Sequence, residues 1–482
     1  MALAHLSASL LWKHFENLCS IPRPSGHEKG AVDYVLNVAE RLGLEAVKDD
    51  AGNVVVRKGA ARGYEERRGV VLQSHLDMVP QKNEGTEHDF LTDPIIPYVD
   101  GEWVRAKGTT LGADNGIGAA AALAVLEDEN LKHAPLEALF TIDEESGMTG
   151  AMNLDSGLLK GKALINLDTE DEGEIYIGCA GGVDVSAELL VARNHLEGER
   201  KAFTLAVRGL RGGHSGLDIN LGRSNAIKLL VRCLYKAVSD YDVRISSIQG
   251  GSVRNAIPRE AFCTLVLPED KAGQFRTYVT WFETVVKSEL QVADPDVEIT
   301  ISDTPDPDSV LSSESQLKLL RALYCCPHGV VRMSDRLSSV VETSGNLASI
   351  RSTDENVRIQ YLLRSSVDSA MDDLSCAVES AFSLAGAKVE FSGGYPGWKP
   401  DPDSSLLEAM KRAYQDLFTN EPQVKVVHAG LECGIIKAKY PDLELVSVGP
   451  TIKYPHSPDE AVHIGSVDKF WAFLLQALSV IS

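Results

Sequence analysis

Residues 69–77 read GVVLQSHLD, a short apolar run that ends on a histidine and an aspartate. A run of this length, bounded by polar residues, predicts a buried strand. Two more runs share the form: 136–145 (LEALFTIDEE) and 162–168 (KALINLD), each also ending in acids. Between the first two lies GADNGIGAAAALAVLED (112–128), a small-residue helix that can pack closely on a sheet, with Asp114 among glycines at its start. Strands alternating with helices predict an α/β layer fold, and sites in such folds form where strands end. Further towards the N-terminus, Ser25–Glu28 fits a capping box that opens a helix running through Val38.

The pattern changes near residue 185. From Lys201 onward the order is strand, helix, strand, strand, helix, strand, and a second unit of helix, strand, strand, helix, strand follows, ending at KVEFSG (388–393). This predicts two ferredoxin-like units in tandem. After GYPGWKPDPDS (394–404) the α/β pattern returns. The expected architecture is a split three-layer αβα catalytic domain with a mixed sheet (residues 1–184 and 397–482) and an inserted α+β lid domain (185–396).

A chain of 482 residues exceeds one hydrophobic core and predicts two or three domains. A net charge of −22 argues against nucleic acid or an anionic membrane as partner. No run of about 18 apolar residues predicts a membrane span. The N-terminal MALAHLSASLLWKHFENL reads as an amphipathic helix and not a signal peptide, because Lys13, His14 and Glu16 interrupt its apolar stretch. Eight cysteines without a C-x-x-C pair fit reduced thiols of a cytoplasmic protein.

The chemistry lies in the residues at the ends of the runs: His75, Asp77, Asp114, Glu144, Glu145, Asp168 and, far along the chain, His456 in PHSPDE. Five of these side chains suffice to hold two divalent metals around a shared carboxylate. Asp77 can accept the second ring N–H of His75 and fix its tautomer as a ligand. Asp114 could bridge two ions roughly 3.5–4 Å apart. Adjacent Glu144 and Glu145 would repel each other if both were buried and unpaired; a metal on one and a cycling proton on the other removes the conflict. Mixed histidine and carboxylate donors suit zinc, with manganese or cobalt as substitutes. Such a centre acidifies water, and Glu144 could take the proton and pass it to a leaving amine.

The motifs SHLDMVP, GADNGIG, DEESG, NLDTE, GGHSG and PHSPDE together resemble the dinuclear zinc aminoacylase and carboxypeptidase-like metallopeptidase family. From IPRPSGHE at residue 21 to the end, the chain resembles the aminoacyl-histidine (Xaa-His) dipeptidases of that family. The resemblance implies His75 and Asp168 on one metal, Glu145 and His456 on the other, Asp114 as bridge, Glu144 as general base and Asp77 as orienter. It implies a cis Asp114–Asn115 peptide. It also implies that His214 of GGHSG polarises the scissile carbonyl, that Asn255 and Arg364 bind substrate, that Gly430 lies near substrate, and that Glu432 meets its free amine.

The function expected from this resemblance is hydrolysis of unblocked dipeptides, Xaa-His dipeptides such as carnosine included. An N-acyl amino-acid deacylase or a tripeptidase on the same scaffold is the alternative within the enzyme class; a non-catalytic scaffold protein is the alternative outside it. Monomer and homodimer both stay open.

Overall fold

The computed structural model describes every residue except 1, 2, 4, 197 and 482. The chain forms two compact units: one holds the chain up to Cys179, Trp398–Val426 and the chain from Leu431, and the other holds Ala180–Gly397 and Val427–Gly430.

In the first unit the apolar runs form the centre of an eight-stranded mixed sheet. Leu136–Thr141, Val70–His75, Ala163–Asn166 and Glu444–Ser447 lie side by side and parallel. The first three are buried along their whole length, as parallel strands covered on both faces must be. Val54–Lys58 joins Leu136–Thr141 antiparallel, which makes the sheet mixed. The small-residue helix, Ala113–Glu127, is buried along nearly all its length. The N-terminal helix Ser9–Cys19 is amphipathic, as its sequence predicts, and buries Leu11, Trp12, Phe15 and Leu18. A separate four-stranded sheet joins Ile452–Lys453 and Ala461–His463 to Trp103–Ala106 and Pro97–Asp100. It supports the turn that carries His456.

The second unit is built on a single long sheet. Along one half of it run Glu298–Asp303, Arg200–Arg208, Ala261–Pro268 and Arg244–Gly250; along the other run Val341–Ser352, Asn356–Ser365, Gly181–Leu190 and Lys388–Tyr395. Each half has the βαββαβ strand order 4-1-3-2 of a ferredoxin-like unit. The halves meet edge to edge, where Gln249 pairs with Arg351 and Gly250 with Ile350. The helices Ala226–Tyr241, Ala272–Glu289, Ser313–Cys325 and Asp368–Leu384 contribute to one continuous apolar core with the strands.

Here the structure differs from the sequence reading. The two ferredoxin-like units are nested and not in tandem: the strand Gly181–Leu190 opens the outer unit, the whole inner unit follows, and the outer unit resumes at Ser313–Cys325. Read in linear order, the second repeat is one strand short. That strand stands before the first repeat, where linear order hides its partners.

Asn225 ties the nested halves together. Its Oδ1 accepts the N–H groups of Ile227 (2.9 Å) and Lys228 (3.2 Å), capping Ala226–Tyr241, and its Nδ2 donates to the Leu347 carbonyl of the outer half at 2.8 Å. The side chain is buried, so its loss leaves three backbone groups without a partner. Asn225→Ala is expected to destabilise the protein by about 2 kcal/mol. Asn225→Ser, which keeps a side-chain oxygen to cap the helix and loses the Nδ2 contacts with the Leu347 carbonyl and His328, should fall between that variant and wild type in urea unfolding. Equal stability of all three would show that the cap contributes nothing.

Candidate metal centre

The site lies at the carboxyl ends of the parallel strands. His75 is the last residue of Val70–His75, Asp168 follows Ala163–Asn166 by two residues, and Glu144 and Glu145 follow Leu136–Thr141. Asp114 enters from the kinked first turn of Ala113–Glu127. The Asp114–Asn115 peptide is cis, and neither residue has helical dihedrals. His456 comes from the turn between Ile452–Lys453 and Ala461–His463, with a left-handed φ of 58°. Such a backbone in a residue with a side chain is uncommon and is often found at functional sites.

The Asp114 carboxylate lies between two histidines. Its Oδ1 is 3.3 Å from His75 Nε2, and its Oδ2 is 3.2 Å from His456 Nε2. Asp168 Oδ1 lies 3.4 Å from His75 Nε2, and Glu145 Oε2 lies 3.0 Å from His456 Nε2. His75, Asp114 and Asp168 bring one ligand atom each to within 4.8 Å of one another, and so do Asp114, Glu145 and His456. A third such group, His75, Glu144 and Glu145, overlaps both.

Asp77 binds the strand end to the loop of the two glutamates. Its Oδ1 lies 3.2 Å from His75 Nδ1 and accepts the Glu144 N–H at 3.0 Å; its Oδ2 accepts the Glu145 N–H at 3.1 Å and the Ser25 hydroxyl at 2.7 Å. The expected capping box is therefore not formed. The helix starts later, at Lys29, so Ser25 lies outside it and donates to Asp77, while Glu28 accepts the N–H groups of Gly26 (2.6 Å) and Asp143 (3.1 Å).

The electrostatics follow from many acids in a small buried volume. Burial disfavours an ionised Asp77, but His75, the Ser25 hydroxyl and the Glu144 N–H outweigh it and hold the carboxyl down at about 2. Burial also works against charge on His75, yet Asp168, Asp114 and Asp77 around it raise its pKa well above the usual imidazole value. Contacts with Asp114 and Glu145 push His456 up to about 11. Burial raises Asp168 to about 7, and burial together with the charges of Asp168, Glu432 and Glu145 raises Glu144 well above the carboxylate range. Among the described residues, buried Glu145 Oε1 has no hydrogen-bond partner, and Asp168 Oδ1 has only the His75 ring, at 3.4 Å. A carboxylate-rich donor set with buried oxygens short of partners fits divalent cations, which satisfy such atoms and offset their mutual repulsion.

Glu432, first in the helix Glu432–Lys439, is fully buried in the first unit. Its Oε2 accepts from Gln73 Nε2 and from the Thr141 hydroxyl, both at 2.7 Å, and its Oε1 has no hydrogen-bond partner among the described residues. Gln73 in turn accepts from Asn166 Nδ2 at 2.6 Å, and the Ser447 hydroxyl donates to Asn166 Oδ1 at 2.5 Å. Each of the four parallel strands thus contributes one residue to a buried polar row. The one sequence signal for this row is the glutamine inside the apolar run VVLQSH.

In the second unit, His214 and Asn255 come from neighbouring backbone. The strand Gly213–His214 pairs with Ala256–Ile257, and the Ser215 N–H donates to the Asn255 carbonyl at 2.7 Å. Arg364 donates through Nη1 to the Tyr395 hydroxyl at 3.3 Å. A side chain at Gly430 would put its Cβ 2.9 Å from the Tyr395 ring. Burial, and then the positive charge of Arg364, hold the pKa of His214 below the usual histidine value. His428, not singled out from sequence, hydrogen-bonds the Ser344 hydroxyl through Nε2 at 2.8 Å. In the first unit, Glu170 was also passed over. Burial and the charges of Asp114 and Asp168 raise it to about 8.

No helix among the described residues is long and apolar enough to cross a membrane. The chain is 47% identical over 479 residues to the cytosol non-specific dipeptidase of Escherichia coli (strain K12), covering 99% of each protein. Its structure is similar to that of aminoacylhistidine dipeptidase from Vibrio alginolyticus, with a TM-score of 0.97 and 46% identity over 100% of this chain and 98% of that one. A more distant likeness, to aminopeptidase PepT from Bacillus cereus, has a TM-score of 0.59 at 17% identity over 99% of both chains, and shows a shared fold. The model of Peptidase family M20/M25/M40 matches residues 71–479, and the chain belongs to that family of peptidases.

Proposed function

We propose that the protein is a metal-dependent dipeptidase acting on unblocked dipeptides, including Xaa-His dipeptides such as carnosine. The observation that carries this reading is the Asp114 carboxylate, with one oxygen beside His75 and Asp168 and the other beside His456 and Glu145. His75 and Asp168 would hold one divalent ion, Glu145 and His456 a second, and Asp114 both. Zinc suits these donors, and manganese or cobalt are substitutes. When bound, such a pair supplies an acidified water and a polarised carbonyl.

The protein's own groups do the rest. Glu144, which brings its carboxylate to the same cluster as His75 and Glu145, would take a proton from the attacking water and return it to the leaving amine. Asp77 fixes the ring of His75 and the backbone of Glu144 and Glu145 together. We assign the catalytic role to the first unit and the role of a lid to the second. His214 would stabilise the oxyanion, Arg364 would bind the terminal carboxylate, and Asn255 and Gly430 would position the substrate. Glu432 is proposed to meet the free amine. The names of the Escherichia coli and Vibrio alginolyticus relatives support the substrate class and a cytoplasmic location.

Glu144→Gln is expected to retain both metals and to lose about 10³-fold or more in turnover, because it removes a proton carrier and not a ligand. Wild-type turnover in that variant would remove Glu144 from the chemistry. A substrate panel tests the reaction itself: Ala-His and carnosine should release histidine in a zinc-dependent, chelator-sensitive way, while N-acetyl-His and Ala-Ala-His should not be cut. Turnover of N-acetyl-His alone would mark a deacylase, and turnover of Ala-Ala-His alone a tripeptidase.

A further inference from the structure

Two charged residues outside the proposed ligand set are buried against the turn that carries Asp114. Glu460 is 2% exposed and Arg23 is 1% exposed. Four successive backbone N–H groups converge on the Glu460 carboxylate. Its Oε2 accepts from Leu111 (2.7 Å) and Gly112 (2.9 Å), and its Oε1 from Ala113 (2.8 Å) and Asp114 (3.2 Å). From the other side, Arg23 Nη2 donates to the Gly112 carbonyl at 2.6 Å, and its Nη1 donates to the carbonyls of Leu76 and Asp77, each at 2.9 Å. Gly112 has a φ of +69°, and a Cβ there would stand 2.6 Å from Arg23 Nη2. The turn needs glycine both for its backbone and for the guanidinium.

Glu460 belongs to the same turn as His456, and its own N–H donates to the Ser457 carbonyl at 3.0 Å. It therefore joins three segments that lie far apart in sequence: the His456 turn directly, the Asp114 turn through four hydrogen bonds, and the His75–Asp77 strand end through Gly112 and Arg23. We propose that Glu460 is a positioning residue for the metal bridge, holding the Leu111–Asp114 backbone so that the Asp114 carboxylate stands between His75 and His456. This inference rests on the two-metal reading above. A buried carboxylate accepting four N–H groups fixes both the position and the direction of the peptides it binds. An amide in its place would turn NH₂ towards two of those donors.

The test is metal binding by the apo protein, made with a chelator and titrated with zinc, together with the visible spectrum of the cobalt form. Wild type taking up fewer than two equivalents would sink the two-metal reading itself. If wild type binds two, Glu460→Gln should bind at least one of them 10- to 100-fold more weakly, as is typical when a partner behind the ligands is lost, and its cobalt bands should shift. Turnover should fall more than KM rises.

Glu137→Gln is the control for general destabilisation. Glu137 is also buried and accepts the N–H groups of Lys160 (2.7 Å) and Gly161 (2.8 Å), at the opposite end of its strand from the site. It should lose stability while keeping wild-type metal affinity. The proposal fails if Glu460→Gln binds two equivalents with wild-type affinity and spectrum, or if Glu137→Gln weakens metal binding as much. Should the glutamine variant not fold, Glu460→Asp, one methylene shorter, is read by the same measurements, and unchanged affinity there overturns the proposal equally.

Discussion

Like charges gathered in a small buried volume repel, and that repulsion governs the arrangement of this fold around Asp114. Asp77, Asp114, Glu144, Glu145 and Asp168 share one end of the sheet with only two histidines among them. Asp77 is held ionised by donors on every side, whereas Asp168 and Glu144 are driven towards their neutral forms. Similar side chains thus take up opposite tendencies because one is surrounded by N–H and O–H groups and the others face more acid.

Beneath the site, the sheet keeps polar atoms in order without exposing them. Thr141, Gln73, Asn166 and Ser447 occupy adjacent strands and hydrogen-bond into a row that also holds Glu432. A row bonded in this way admits few alternatives, since a shift of one partner would strand a buried donor or acceptor. The strands' register and the position of the residues at their ends are therefore fixed together.

Much of this was legible in the sequence. The runs ending at His75, Thr141 and Asn166 are apolar enough to declare buried parallel strands, and the acids beyond them stand where α/β folds form sites. Other features were not legible, for physical reasons. Ser25 has the sequence spacing of a cap, but its hydroxyl donates to the carboxylate of Asp77, more than 50 residues away, a charge-assisted bond stronger than one accepted from a local N–H. Arg23 reads as an ordinary charge between two prolines and Glu460 as one of two adjacent acids; only tertiary structure brings them to the Asp114 turn. The nesting of the ferredoxin-like units was hidden because sequence order does not reveal which strand completes which sheet.

That nesting bears on how the second unit is made. The strands of the inner half, from Arg200 to Asp303, find their partners within a short stretch of chain, so its loops close at little entropic cost. The strand Gly181–Leu190 must wait for Asn356–Ser365, which pairs with it along its full length. During synthesis the expected order is therefore inner half first, with the earlier strand left as an open edge until the later ones emerge from the ribosome. An unpaired strand carrying Val183, Val185, Ala187 and Leu189 on one face is prone to wrong pairing while it waits. The interval between residues 190 and 356 is thus the stage at which a nascent chain most needs protection from its neighbours.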